Sequence, residues 1–179
     1  MNRTIAAAVA ATAAITYPSV APAGALDSES VHDQTEGVVA DFEGRRINLA
    51  EGWGDAEACR SDDEGTRCYR SATQMYNAEH LFANAGAIVA SICSGDVNLY
   101  SDASYAGTVL SLNTRSVVIN LAGYGFDNVT SSYKIGPCGS RFYDTTTGSG
   151  LYPGTTTANT VAASMSPGWD NRIGSITIS

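Results

Sequence analysis

The chain has little positive charge: among 179 residues Lys134 is the only lysine, and the formal net charge is −8. A nucleic-acid partner demands a basic face, so this balance argues against one and is compatible with cation binding. No apolar run reaches the roughly 20 residues needed to cross a bilayer, so no membrane insertion is expected. The chain has no H-E-x-x-H, no G-x-S-x-G and no Gly-rich phosphate loop. With no assembled nucleophile and base, it is not expected to be an enzyme. His32 and His80 lie far from any paired cysteines, and no C-x2-C occurs, so zinc chemistry has little support.

The N-terminus has its own texture. Arg3 is the one charge before Ala25, Ile5 to Ile15 is an alanine-rich apolar run, and Ala23-Gly24-Ala25 offers small residues at a cleavage site. Residues 1–25 read as a secretory signal peptide, and the polar, acidic stretch 26–36 as a disordered lead-in. The protein is then expected to be secreted, where disulfides persist. Four cysteines, Cys59, Cys68, Cys93 and Cys138, allow three connectivities. Cys59–Cys68 with Cys93–Cys138 is favoured because each pair then stays within one structural unit.

Residues 37–90 read as a small hairpin-plus-helix unit. Val38–Ala40 and Arg46–Leu49 could be short strands. Ala56–Arg60 and Thr66–Arg70 flank Ser61-Asp62-Asp63-Glu64-Gly65, a polar hairpin loop that would set Cys59 opposite Cys68. A solvated tip explains that acidic cluster better than a cation site. Ser71-Ala72-Thr73-Gln74 is a capping-box pattern and predicts a helix from Ala72 to about Ala83, with Met75, Ala78 and Phe82 on one face. Trp53 and Trp169 could be carbohydrate platforms, but packing is the simpler role: Trp53 on the hairpin, Trp169 in the core. From residue 91 to 179, short β-branched and aromatic runs alternate with glycine turns, which predicts strands.

That half also repeats itself. A shift of 43 residues matches Tyr100 with Tyr143, Gly107 with Gly150, and Gly125-Phe126-Asp127-Asn128 with Gly168-Trp169-Asp170-Asn171. Ser132 then meets Ser175, and Ile135 meets Ile178. One supersecondary unit is used twice, and two copies of about four strands would make a two-sheet sandwich. Asp, Asn and Ser with backbone carbonyls supply hard oxygens of the kind calcium takes, roughly six to eight at about 2.3–2.6 Å. Asp-Asn pairs followed by Ser also occur in tight turns that bind nothing.

On these residues the C-terminal half resembles a βγ-crystallin domain of the microbial calcium-binding type. Each copy opens with aromatic-x6-Gly, Tyr100 to Gly107 and Tyr143 to Gly150. Asp127-Asn128-Val129-Thr130-Ser131-Ser132 matches the family's calcium motif, N/D-N/D-x-x-S/T-S. Asp170-Asn171-Arg172-Ile173-Gly174-Ser175 departs from it at Gly174, where a hydroxyl is expected. The resemblance implies a mainly β fold: two tandem Greek-key motifs forming a βγ-crystallin-like sandwich, preceded by the disulfide-bonded unit. It also implies two cross-clamped calcium ions. One would use Ser131 and the Val129 carbonyl with Asp170 or Asn171. The other would use Asp127 or Asn128 with the Arg172 carbonyl, and would lack its hydroxyl. The chain is similar, too, to secreted actinobacterial crystallin-like proteins classed with peptidase inhibitors. An extracellular protease (a metalloprotease) is therefore the alternative partner, and a carbohydrate- or cell-envelope-binding module a third reading. Peptide mapping of the exported protein without reduction is expected to give the Cys59–Cys68 and Cys93–Cys138 pairs and no free thiol; a Cys59–Cys93 peptide would break the two-unit picture.

Overall fold

The computed structural model describes residues 37–85 and 96–179, with residues 80–85 described for their backbone alone. The expected signal peptide and lead-in, and Cys93, lie outside the described residues. Four short strands come first: β1 (Val39–Phe42), β2 (Arg45–Asn48), β3 (Ala58–Asp62) and β4 (Gly65–Tyr69). β3 and β4 are the expected hairpin, and Cys59 and Cys68 sit directly opposite and are bonded. In the chain-entropy view, closing so short a loop contributes about 2.7 kcal/mol. Cys138 is likewise disulfide-bonded.

The helix α1 (Ala72–Ala85) begins as its capping pattern predicts. Ser71 Oγ accepts the Gln74 N–H at 3.1 Å. The Gln74 side chain reaches back one residue further than the usual box, to the Arg70 N–H at 3.0 Å. Met75, the apolar anchor of the helix, is buried against Ala58, Tyr100 and Val109 on one face of the sheet. Glu79 is held by Arg60 at 2.5 Å and by the Tyr69 hydroxyl at 3.0 Å.

The repeated half supplies β5 (Val97–Asp102), β6 (Ala106–Leu112), β7 (Ile119–Asn120) and β8 (Ser132–Ile135) from the first copy. The second copy supplies β9 (Ser140–Tyr143), β10 (Val161–Ala162) and β11 (Ser175–Ile178). An isolated bridge, Tyr143 to Leu151, stands where its second strand would be. One sheet runs β10-β8-β5-β6-β3-β4-β1-β2, and the other β7-β11-β9. Each copy therefore gives its third strand to the other copy's sheet. The result is the expected mainly β sandwich of two Greek-key motifs. Its core lies between the sheets, where Leu99, Leu110 and Tyr133 meet Phe142, Ile176 and Ile178. Tyr133 and Phe142 touch edge to face at 5.0 Å.

The boundary near residue 90 read from composition does not divide the sheet. β3 pairs in parallel with β6 from Ala58↔Val109 to Ser61↔Leu112, so β1 to β4 extend the first copy's sheet past its edge. Glu57 C=O accepts the Val109 N–H at 2.9 Å and Ser61 C=O the Asn113 N–H at 3.0 Å, which continues the ladder at both ends. Residues 37–85 and 96–179 fall within one compact unit.

Hairpin closure at the start of each copy explains the spaced Tyr and Gly. Gly107 has φ +73° and Gly150 φ +74°, a left-handed conformation that a side chain strains. A Cβ on Gly107 would overlap Ser101 Oγ, which accepts the Thr108 N–H at 2.9 Å.

Four residues, Arg67, Asn98, Ser111 and Thr130, carry a buried side-chain polar atom without a hydrogen-bond partner among the described residues. Thr130 is fully buried and its Oγ1 has no hydrogen-bond partner, while its repeat counterpart is the buried, apolar Ile173. A buried hydroxyl without a partner costs stability, and an isosteric methyl does not. Thr130→Val is expected to raise unfolding free energy by about 1 kcal/mol in a denaturant titration. A loss of that size instead would mean that the hydroxyl is satisfied in solution.

Candidate metal centre

The two Asp-Asn motifs form arches that brace each other across a pseudo-twofold axis. The Asn128 N–H donates to the Ile173 C=O at 3.0 Å, and the Asn171 N–H to the Thr130 C=O at 3.1 Å. These two bonds are related by the 43-residue shift. Asn128 and Asn171 have φ of 57° and 54°, the left-handed region that asparagine tolerates better than most residues. The second position of the motif is therefore a conformational requirement as well as a source of oxygen.

Each arch is tied to its own hairpin in the same way. The Ser131 N–H donates to the Tyr100 C=O at 2.8 Å, and the Gly174 N–H to the Tyr143 C=O at 2.8 Å. Ser132 Oγ donates to the Asp102 C=O at 2.6 Å, and Ser175 Oγ to the Thr145 C=O at 2.6 Å. The last serine of each motif thus has a structural task and is fully buried.

Symmetry fails at the fifth position. In the first arch the buried Ser131 Oγ donates to Asn171 Oδ1 at 3.2 Å, bringing together a hydroxyl and an amide oxygen from opposite arches. Asp170 and Asn171 are exposed beside it. In the second arch Gly174 offers nothing, and there is no room for more. A Cβ there would lie 2.6 Å from the Asp144 carbonyl oxygen and 2.9 Å from the Thr146 nitrogen. Arg172 also departs from its counterpart Val129. Its guanidinium makes a two-pronged pair with Asp144, Nε to Oδ1 at 2.9 Å and Nη2 to Oδ2 at 2.7 Å.

The carboxylates differ accordingly. A hydrogen bond and charge from Arg172 hold the Asp144 carboxyl below its ordinary pKa. Partial burial pushes Asp127 up. Asp127 makes no ion pair among the described residues, and a desolvated carboxylate without a cation is what a divalent ion would relieve. No three His, Cys, Asp or Glu side chains converge among the described residues. The donors are a hydroxyl, an amide, carbonyls and single carboxylates, a hard-oxygen set suited to calcium rather than to thiophilic metals. The first half, with Ser131 Oγ beside Asn171 Oδ1, fits such an ion; the second has Asp127 but neither a hydroxyl at Gly174 nor room for one.

Sequence reasoning missed Asp144, whose counterpart in the first hairpin is Ser101. The only signal was an acidic side chain directly after the opening Tyr143. Trp53 also differs from expectation. It leaves its own hairpin and buttresses the approach to the first arch, with Nε1 donating to the Tyr124 C=O at 2.7 Å and its ring 5.6 Å from Phe126. Trp169 is half-buried against the core and packs edge-on against Tyr152. At the hairpin tip Asp63 and Glu64 are exposed as expected, whereas Asp62 pairs with Arg60 at 2.6 Å and Arg67 at 2.8 Å. The His80 and Phe82 side chains lie outside the described residues.

No protein-family model matches the chain, and no curated protein does. Solved structures with a similar arrangement are βγ-crystallin domains. One from Ciona intestinalis is 27% identical, with 48% of this chain and 100% of that one covered and a TM-score of 0.37. A single-substitution mutant of a domain from Clostridium beijerinckii is 18% identical over 46% and 95% of the two chains, TM-score 0.38. A domain from Flavobacterium johnsoniae is 19% identical over 46% and 92%, TM-score 0.34.

The raised pKa of Asp127 has a definite sign in stability. The folded, metal-free protein holds that proton more tightly than the unfolded chain, so stability falls as pH rises from the unfolded carboxyl value, about 3.9, through the folded one. Asp127→Asn is therefore expected to stabilise the chelator-treated protein at neutral pH. The gain should vanish below that window. Equal melting temperatures of variant and wild type at pH 7 in chelator would show that the carboxylate is already compensated.

Proposed function

We propose that this is a secreted, non-enzymatic calcium-binding protein with a structural or interaction role outside the cell. The observation that carries the reading is the meeting of Ser131 Oγ and Asn171 Oδ1 at 3.2 Å, a hydroxyl and an amide from two arches that already brace each other. Residues 1–25 support export through their signal-like composition, and the acidic balance suits a cation ligand.

The first half of the clamp would hold the ion through Ser131, the Val129 carbonyl, and Asp170 or Asn171. Calcium would supply positive charge where two arches end in oxygens. The chain's own part is to fix those oxygens: the crossed amide bonds set the spacing, and the buried serines hold each arch to its hairpin. Because both arches contribute, binding would tie the two Greek keys together and stabilise the domain.

Affinity on this frame should be modest, with a dissociation constant on the order of 10⁻⁴ to 10⁻³ M, as in extracellular calcium modules. At calcium a hundredfold above that constant, linkage adds about 2.7 kcal/mol to stability. The test compares melting in chelator and in millimolar calcium, with calorimetric titration beside it. Ser131→Ala is expected to abolish most of the calcium-dependent rise while leaving the chelator curve near that of wild type. A wild-type curve indifferent to calcium, with no heat on titration, would defeat the reading. The arches would then be fold-stabilising turns, and the peptidase-inhibitor alternative, which rests on resemblance alone, would come forward.

A further inference from the structure

The second arch already contains a cation. We propose that the Arg172 guanidinium stands in for a second calcium ion, so that the protein takes up one ion at the Ser131 half and keeps the other half closed without metal. The expected stoichiometry rests on the calcium reading above; the substitution of a side-chain cation for a metal rests on the second arch alone.

Three observations converge. First, Arg172 is fixed from two sides: its guanidinium fork meets both oxygens of Asp144, and its Cζ lies 5.0 Å from the Trp169 ring centroid. A planar guanidinium matches a carboxylate two-prongedly and stacks on an aromatic face, so the contacts are mutually compatible. Second, both partners are particular to this copy. The counterparts of Arg172 and Asp144 are Val129 and Ser101, so the charged pair replaces two neutral residues at once. Third, the place of the missing hydroxyl is filled by backbone. The chain at residues 144–146 approaches Gly174 so closely that no Cβ fits. Adding a hydroxyl by Gly174→Ser would thus displace the hairpin rather than complete a site.

Electrostatics point the same way. A neutralised carboxylate has little left with which to attract a divalent ion, and a fixed guanidinium repels one. The pair is partly exposed, at 51% for Arg172 and 31% for Asp144, so its gain over an ion is that it is always present rather than that it is strong.

The experiment is a calorimetric titration of the full chain, stripped with chelator, using calcium chloride, for wild type and for Arg172→Gln. Melting curves in chelator and in millimolar calcium accompany it, and Asp144→Asn is the companion variant. Wild type is expected to bind one ion. Arg172→Gln is expected to bind two, the second more weakly, because Asp144 is then free to face it. Its melting temperature should drop in chelator and recover in calcium. Asp144→Asn should drop in chelator without such recovery of the second half, and should still bind one ion. A variant Arg172→Gln that folds only with calcium present would support the proposal equally. Two ions in wild type, or a single ion in Arg172→Gln, would overturn it while leaving the first site intact. No ion in wild type but one in Arg172→Gln would sink the Ser131 reading and keep this one. No ion in either protein would remove both.

Discussion

The exchange of third strands between the two Greek keys is the constraint on which the rest depends. β7 leaves the first copy to pair with β11, and β10 leaves the second to pair with β8. Neither sheet is complete within one copy. The exchange also sets the arches, which follow β7 and β10 in the chain, face to face across the axis. Crossed bonds from Asn128 and Asn171 then close the geometry. A pair of arches braced in this way can present oxygens from two distant segments without either segment being rigid alone.

The N-terminal unit continues that architecture instead of standing beside it. Parallel pairing of β3 with β6 covers what would be an open edge of the first copy's sheet, and edges left open invite unwanted pairing. Trp53 and Val38 reach further, to the turn that precedes the first arch: the Val38 N–H meets the Gly123 C=O at 2.6 Å. Buttressing of this kind exists for the first arch, whose Phe126 is fully buried, whereas the matching Trp169 is only half-buried. The better supported arch is also the one that keeps its hydroxyl. A cross-strand disulfide at Cys59–Cys68 and the ion pairs of Arg60 with Asp62, Glu79 and Asp96 hold the added unit together where its own apolar core is small.

Duplication followed by divergence accounts for the unequal halves of the candidate centre. The backbone of the arches has stayed symmetrical, down to paired serine-to-carbonyl bonds at 2.6 Å in each copy. Among the changed side chains are those at the clamp, where Val129 and Ser131 are matched by Arg172 and Gly174. One half keeps a hydroxyl beside an amide oxygen, and the other carries a carboxylate already matched by a guanidinium. These are two solutions to the same electrostatic problem, a concentration of oxygens that needs positive charge. Calcium would answer it only when the ion is present, and Arg172 would answer it always.

Much of this was legible in the residues. Strands of four or more residues show their alternation, the capping pattern at Ser71 marks the helix start, and facing cysteines follow from hairpin symmetry. The 43-residue repeat identified the arches, because αL asparagines, hairpin glycines and buried serines are each dictated locally by backbone conformation. Ser131 and Asn171 were named as partners from the motif and are found together. What the residues could not show was anything defined by a partner far along the chain. β7 and β10 have two residues each, too few for periodicity, and exist because a distant strand pairs with them. The union of β3 with β6 depends on which edge lies open after the sandwich forms. Asp144 and Arg172 are 28 residues apart in sequence, and Gly174 read as a missing ligand until the backbone of 144–146 was seen to fill its place. Local conformation is written residue by residue and can be read that way; contact between distant segments is decided by the packing of the whole, because only the assembled sandwich determines which surfaces meet.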